Sequence, residues 1–162
     1  MNLETLVRAG EAPWRPSPDV TGLDVWLGWD HPCAGTFRVG PDLVLFTVAY
    51  EDDDDKVSVW AYVPVPAEIE GSFSDRQFDT AADLRRFVNH FFALAGRPAV
   101  FAAASDMSIA RWAPREVPAE EDGLTSAAAD FMESLTRAFP VTPATRLRAA
   151  VKLAEAKELV SS

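Results

Sequence analysis

Alternating hydrophobic and polar residues predict a series of strands in the first half of the chain. Residues 23–30 (LDVWLGWD) carry apolar side chains at every second position, which is the periodicity of a half-exposed strand. Residues 35–39 and 43–50 predict a second strand that a turn or bulge interrupts at residues 40–42 (GPD). Residues 57–65, which are rich in β-branched and aromatic side chains, predict the third strand of a meander.

An acidic run separates the second and third predicted strands. Residues 51–56 (EDDDDK) hold four consecutive aspartates, whose mutual repulsion is tolerable only where water screens it. A calcium-binding loop starting at Asp52 would place Lys56 at its fifth position and would lack the glycine at its sixth, so the run does not fit that motif. We therefore predict a solvated hairpin turn at residues 51–56, without a metal.

Two helices are predicted after the meander from their apolar spacing and their end signals. The first covers residues 80–95, with a capping Thr80, Asp83 three residues later, and Gly96 just beyond its end. The second covers residues 124–139 and stops at a proline.

The stretch between these helices, residues 99–113 (AVFAAASDMSIARWA), fits two structures. Its alanines favour a helix, whereas a Ser-Asp-Met-Ser turn between two apolar runs favours a hairpin. We predict two strands.

Both ends of the chain are predicted to carry accessory elements. Residues 2–10 form a short helix between a capping asparagine and a terminating glycine. Residues 11–22 contain three prolines, which disfavour a helix, and predict a connector. Residues 141–162 start near a Thr-Pro pair and predict an accessory C-terminal helix that docks weakly or serves as a tail.

Together these elements predict one α+β domain over residues 1–162. Its antiparallel sheet consists of the three-strand meander and the later hairpin, helices pack on the sheet, and the order along the chain is α-β-β-β-α-β-β-α-α. A chain of 162 residues can bury enough apolar surface to fold without a metal or a disulfide.

Composition and charge argue against several functional classes. The chain is 48% hydrophobic and 25% charged, it begins without a signal-peptide pattern, and no stretch approaches the roughly 20 apolar residues of a membrane span, so we expect a cytoplasmic protein without a membrane partner.

The single cysteine, Cys33, excludes an intrachain disulfide and agrees with a reducing compartment. The net charge of −10 argues against nucleic-acid binding. This charge serves solubility alone, or it also attracts a basic protein partner.

The one cluster with nucleophilic potential is WDHPCAG, residues 29–35, which contains Asp30, His31 and Cys33. A Cys-His pair works when the base takes the thiol proton and a third group orients the base, and such partners normally come from separated segments. His31 and Cys33 would share one side of an extended chain, but we interpret the segment as a loop joining two strands. The chain has no second histidine at metal-ligand spacing, no Gly-rich loop and no Gly-x-Ser-x-Gly, so no catalytic, cofactor-binding or metal-binding residue is predicted.

The predicted strands suggest an aromatic binding surface. If Val48 pairs with Val59, then Trp60 and Tyr62 lie together on one side of the hairpin, and Trp26 joins them from the first strand. A helix covers this side, or it binds a protein partner through its aromatic side chains.

The helix over residues 80–95 has a wider apolar arc than one packing surface requires. Phe87, Phe91 and Leu94 are therefore candidates for a homodimer interface. In the alternative, the C-terminal helices cover these residues within one chain.

The chain resembles the small specialised chaperones of type III secretion and their wider superfamily. DLVLFTVAYEDDDDKVSVWAYVPVP is similar to the second and third strands of that family with an acidic turn, and FVNHFFALAGRPAVFAAASDMSIARWAPREVP is similar to its helix and late hairpin. The resemblance covers residues 22–138. It implies a small acidic α+β protein that binds a partner segment on its sheet and helix surfaces, commonly dimerises and performs no catalysis.

Two functional hypotheses follow from these observations. The first is a non-catalytic, chaperone-like module that holds a protein partner on its sheet and helix surface, without a cofactor. The second is a small enzyme or ligand-binding domain with a pocket near His31 and Cys33.

Overall fold

The computed structural model describes residue 3 and residues 12–28, 30–52, 57–73, 78–94, 98–105, 108–120 and 122–138. These residues form an α+β fold with one six-stranded antiparallel sheet and three helices. Apart from Leu3, the predicted N-terminal helix lies outside the described residues, as does the predicted C-terminal helix over residues 141–162.

The strands pair in chain order from β1 to β6, so β1 and β6 form the two edges of the sheet. Their bounds are Val20–Gly28 (β1), Pro32–Val39 (β2), Asp42–Asp52 (β3), Val57–Val65 (β4), Ala99–Ser105 (β5) and Ser108–Arg115 (β6). A 3-10 helix (Ala67–Phe73) and helix α1 (Ala81–Leu94) connect β4 to β5, and helix α2 (Gly123–Ala138) follows β6. None of the helices among the described residues is long and apolar enough to cross a membrane.

The predicted second strand is in fact two strands, β2 and β3. Gly40 has a φ of 60°, a backbone conformation that glycine adopts without steric cost, and Val39 pairs directly with Asp42 across the turn. The interruption at residues 40–42 is therefore a reversal of the chain. Four strands, and not three, precede helix α1, which corrects the predicted order of elements.

Two other local predictions, a helix cap and the later hairpin, agree with the structure, whereas the end of the connector does not. The backbone N–H of Asp83 donates to Thr80 Oγ1 at 3.1 Å, which is the predicted helix cap. The hairpin predicted within residues 99–113 is present as β5 and β6. The connector predicted over residues 11–22 ends earlier, because β1 begins at Val20.

The predicted register of the β3–β4 hairpin is wrong by one residue. Val48 pairs with Trp60 and not with Val59, and Tyr50 pairs with Val59 because Ala49 forms a bulge. A shift of one residue moves every side chain to the opposite face of the sheet. Glu51 and Asp52 also belong to β3, so the turn is shorter than predicted; its residues 53–56 lie outside the described part of the chain.

Both faces of the sheet are largely buried in its central strands, β2 to β5. On one face, apolar residues of β3, β4 and β5 pack against the helices. The strands contribute Leu45, Val63 and Phe101, and the helices contribute Leu84, Val88, Phe92 and Phe131. The other face, which we call the aromatic face, contains Phe37, Phe46, Trp60 and Tyr62. Residues 12–19, which we call the strap, pass over the aromatic face: Trp14 packs against it, and the Tyr62 hydroxyl donates to the Pro13 carbonyl at 2.6 Å.

Candidate functional site

The three residues predicted to bind a partner do not form one surface. Trp60 and Tyr62 share the aromatic face, where both are fully buried. Trp26 belongs to the opposite core and packs against Phe73 and Phe87 with ring centroids 5.9 Å apart in each pair. Trp60 and Tyr62 therefore reach a partner only if the chain above them moves.

The residues predicted at a dimer interface are packed within the chain where the structure describes them. The centroids of the Phe87 and Phe91 rings lie 5.5 and 4.9 Å from that of Phe73. The side chain of Leu94 is outside the described part of the chain. Association of two copies stays a prediction.

The WDHPCAG segment, in contrast, gathers chemically active groups. Pro32 starts β2, Cys33 is fully buried, and the Cys33 Sγ lies 3.8 Å from His31 Nδ1. The Cys33 thiol also donates to the His31 carbonyl oxygen at 3.4 Å. The expectation that His31 and Cys33 lie on one side of the chain agrees with these distances.

A third group, Glu51, reaches this pair from β3. Its Oε1 lies 2.8 Å from His31 Nε2. Glu51 pairs with Ser58, which lies two residues before Trp60 on the same face of β4. Glu51 reaches this face because the bulge at Ala49 changes the alternation of β3 by one residue. A strand of unbroken alternation would place Glu51 on the same face as Leu45, under the helices.

Sequence reasoning missed Glu51 for two reasons. It assigned this residue to the solvated turn, and it had no signal for a bulge at Ala49. The bulge places Tyr50 in the helix-covered core, but a tyrosine at this position does not by itself predict a bulge.

The hydrogen bonds of His31 identify the hydrogens on its ring. Nδ1 lies 3.0 Å from the Pro32 carbonyl oxygen, which can only accept, so Nδ1 carries a hydrogen. Burial lowers the pKa of His31, but the Pro32 carbonyl, the Glu51 carboxylate and the charge of Asp30 together raise it above the ordinary value of 6.5. When no metal is bound, the His31 imidazole therefore lies between two hydrogen-bond acceptors, the Pro32 carbonyl and the Glu51 carboxylate.

Two tryptophans flank the histidine ring. Trp14 of the strap stacks on His31 with ring centroids 5.3 Å apart and planes at 9°. Trp60 lies on the aromatic face with its centroid 5.7 Å from the His31 ring, and its Nε1 donates to Ser58 Oγ at 2.8 Å. The side chains of His31 and Glu51 keep 14% and 22% of their surface exposed, so the cluster lies just below the protein surface.

These three side chains offer the donor set of a zinc site. One ligand atom from each of His31, Cys33 and Glu51 can be chosen so that all three lie within 4.8 Å of one another. Tetrahedral zinc holds sulfur, nitrogen and oxygen ligands about 3.5 Å apart, so the three groups would have to move closer together, by roughly 1 Å or more, to bind one ion. Nδ1–H is bonded to a backbone carbonyl, the usual outer-shell partner of a ligating histidine, and this leaves Nε2 for the metal.

The same residues also have the order thiol, imidazole, carboxylate found in nucleophilic cysteine sites. Two features oppose that use. Cys33 has no exposed surface, and the hydrogen on Nδ1 points to the Pro32 carbonyl, whereas a general base needs a free nitrogen toward the thiol. A buried thiol is compatible with metal ligation, so the geometry favours a metal over a nucleophile.

Comparison of the chain with protein-family models, with curated proteins and with solved structures finds no match. The resemblance to type III secretion chaperones stays a prediction.

Proposed function

We propose that the protein binds Zn²⁺, or a cation of the same class, through Cys33 Sγ, His31 Nε2 and a Glu51 carboxylate oxygen. The observation that supports this most directly is the convergence of these three groups from β2, the residue before it, and β3. The second supporting observation is the bond from Nδ1–H to the Pro32 carbonyl, which leaves Nε2 on the side of Glu51.

The mixed donor set identifies the class of cation. Calcium and magnesium take oxygen ligands almost alone, whereas a thiolate with an imidazole selects zinc and related borderline metals. Three protein ligands leave one position of a tetrahedron for water or a small molecule. The proposal thus develops the ligand-binding hypothesis; the chaperone-like hypothesis has less support, because Trp60 and Tyr62 lie beneath the strap.

Cobalt substitution tests this proposal sharply, since the chain has only one cysteine. Co²⁺ added to the metal-free protein should give one equivalent of bound metal and a thiolate-to-cobalt absorption band, which Zn²⁺ should displace. Any such band must come from Cys33.

Variants separate this site from adventitious binding by surface carboxylates. Cys33→Ser should abolish the band, and Glu51→Gln should weaken binding by more than the roughly 10- to 100-fold typical of an outer-shell loss. Replacing Asp53, Asp54 and Asp55 with asparagine is the matched control and should leave the band unchanged. Cobalt binding without a thiolate band, or binding that survives in Cys33→Ser and disappears in the control, would refute the proposal.

A further inference from the structure

Trp14 of the strap covers one side of the site. Trp14 stacks on His31 and also contacts Trp60, with ring centroids 6.3 Å apart. Cys33, whose Sγ lies 3.8 Å from Nδ1 of this stacked His31 ring, has no exposed surface. Among the described residues, Trp14 therefore covers one face of the His31 ring, which lies beside the thiol of Cys33.

The strap is attached to the sheet differently from a strand. Three of its eight residues are prolines, which cannot donate a backbone hydrogen bond to a neighbouring strand. The backbone hydrogen bonds of the strap in the described part of the chain are local turns, from Arg15 to Ala12 at 2.9 Å and from Val20 to Ser17 at 3.2 Å. Its contacts with the sheet include the packing of the Trp14 ring against Trp60 and the hydrogen bond from the Tyr62 hydroxyl to the Pro13 carbonyl.

We propose that the strap is a gate for the cluster of His31, Cys33 and Glu51, with Trp14 as the part that opens. Lifting Trp14 requires no strand pair to separate, because the strap joins the sheet ladder only at Val20, where β1 begins. Local openings that break few contacts occur far more often than global unfolding. The gate sets the rate at which a metal or a small molecule reaches the site, and in that role it rests on the proposed metal-binding function.

Shielding of Cys33 can be measured without any metal, which separates the two proposals. An aromatic disulfide reagent should modify Cys33 slowly in the metal-free wild-type protein. Trp14→Ala should react about tenfold faster, the factor that corresponds to the loss of one well-stacked aromatic pair. Trp14→Phe keeps a ring on His31 and should react at close to the wild-type rate.

Two further variants complete the design. Tyr62→Phe removes only the hydroxyl that holds the Pro13 carbonyl, so it should also accelerate the reaction, and it tests the gate if Trp14→Ala does not fold. Trp112→Ala is the control, since Trp112 packs against the same aromatic face but lies on the far edge strand, β6. It should leave the rate unchanged.

The zinc-loaded protein provides the second readout. Release of Zn²⁺ to an excess of chelator should accelerate by a similar factor in Trp14→Ala, while the stoichiometry of binding stays at one. The gate is refuted if Cys33 of the folded wild type reacts as fast as in the unfolded chain, or if neither Trp14→Ala nor Tyr62→Phe changes the rate. A protein that binds no metal but shows the accelerated thiol reaction would refute the metal site and retain the shielding.

Discussion

Glu51 Oε1 lies 2.8 Å from Nε2 of His31, although the two residues are separated by 20 positions in the chain. The contact connects the end of β3 to the residue before β2, at the same end of the sheet. It adds a carboxylate to the thiol of Cys33 and the imidazole of His31, and these three groups together have the donor set of a metal site.

This contact should stabilise the metal-free protein. Glu51→Gln removes a charged partner from a partly buried imidazole, and we expect the free energy of unfolding in urea to fall by about 1 to 2 kcal/mol at neutral pH. Glu70→Gln is a matched control, since Glu70 pairs with Arg38 at 3.1 Å in a more exposed position. There we expect a loss of less than about 0.5 kcal/mol. Equal effects in the two variants would contradict the special role of Glu51.

Zinc should stabilise the folded state by linkage. At a free Zn²⁺ concentration about 100 times the dissociation constant, the free energy of unfolding should rise by roughly 2.7 kcal/mol, and a chelator should reverse the gain. Thermal unfolding with and without the metal measures this effect. Cys33→Ser should show no such rise, and a rise of the same size in that variant would place the metal elsewhere.

Tyr62 gives the protein a specific alkaline sensitivity. Complete burial raises the pKa of the Tyr62 hydroxyl far above its ordinary value of 10.0. The unfolded chain can release this proton above that pH and the folded chain cannot, so the stabilisation is complete below about pH 10 and falls as the pH rises, at up to about 1.4 kcal/mol per unit. Denaturant unfolding between neutral pH and pH 11 should show a shallower decline in Tyr62→Phe than in the wild type. Identical slopes would mean that Tyr62 is exposed to solvent.

Phe87 should behave as a core residue of one chain. Its ring lies among Trp26, Phe73 and Phe78, with centroids 5.5 to 5.9 Å away. Phe87→Glu should therefore lower the free energy of unfolding by about 3 kcal/mol or more, because it removes the ring and buries a charge. Ala82→Glu, at an exposed position in the first turn of the same helix, should have little effect. A well-folded Phe87→Glu variant whose mass by sedimentation is half that of the wild type would instead support the homodimer interface.

Local sequence signals predicted the helices and strands well, but they predicted the pairing between strands poorly. The cap at Thr80 depends on residues within one helical turn, so the sequence reports it directly. The register of β3 depends on which of its faces is apolar, and the segment LVLFTVAY is apolar on both. Nothing in that pattern distinguishes the observed register from its neighbour.

The candidate site was predictable only in part, for the same physical reason. His31 and Cys33 are neighbours in sequence, and an extended chain places them on one side without further information. Glu51 joins them through the bulge at Ala49, which is a property of the paired strands. The position of the strap over Trp60 and Tyr62 likewise depends on tertiary packing, which the three prolines indicate only by excluding a helix.

The irregular pairing of β1 has a consequence for the solubility of the protein. This edge strand exposes Leu23 and Val25 at 42% and 45%, and an exposed apolar edge commonly recruits strands from other molecules. The pairing of β1 with β2 shifts register three times within nine residues, so its outer edge does not present a regular ladder of donors and acceptors. A second molecule would find few consecutive hydrogen bonds there, which disfavours edge-to-edge pairing at β1.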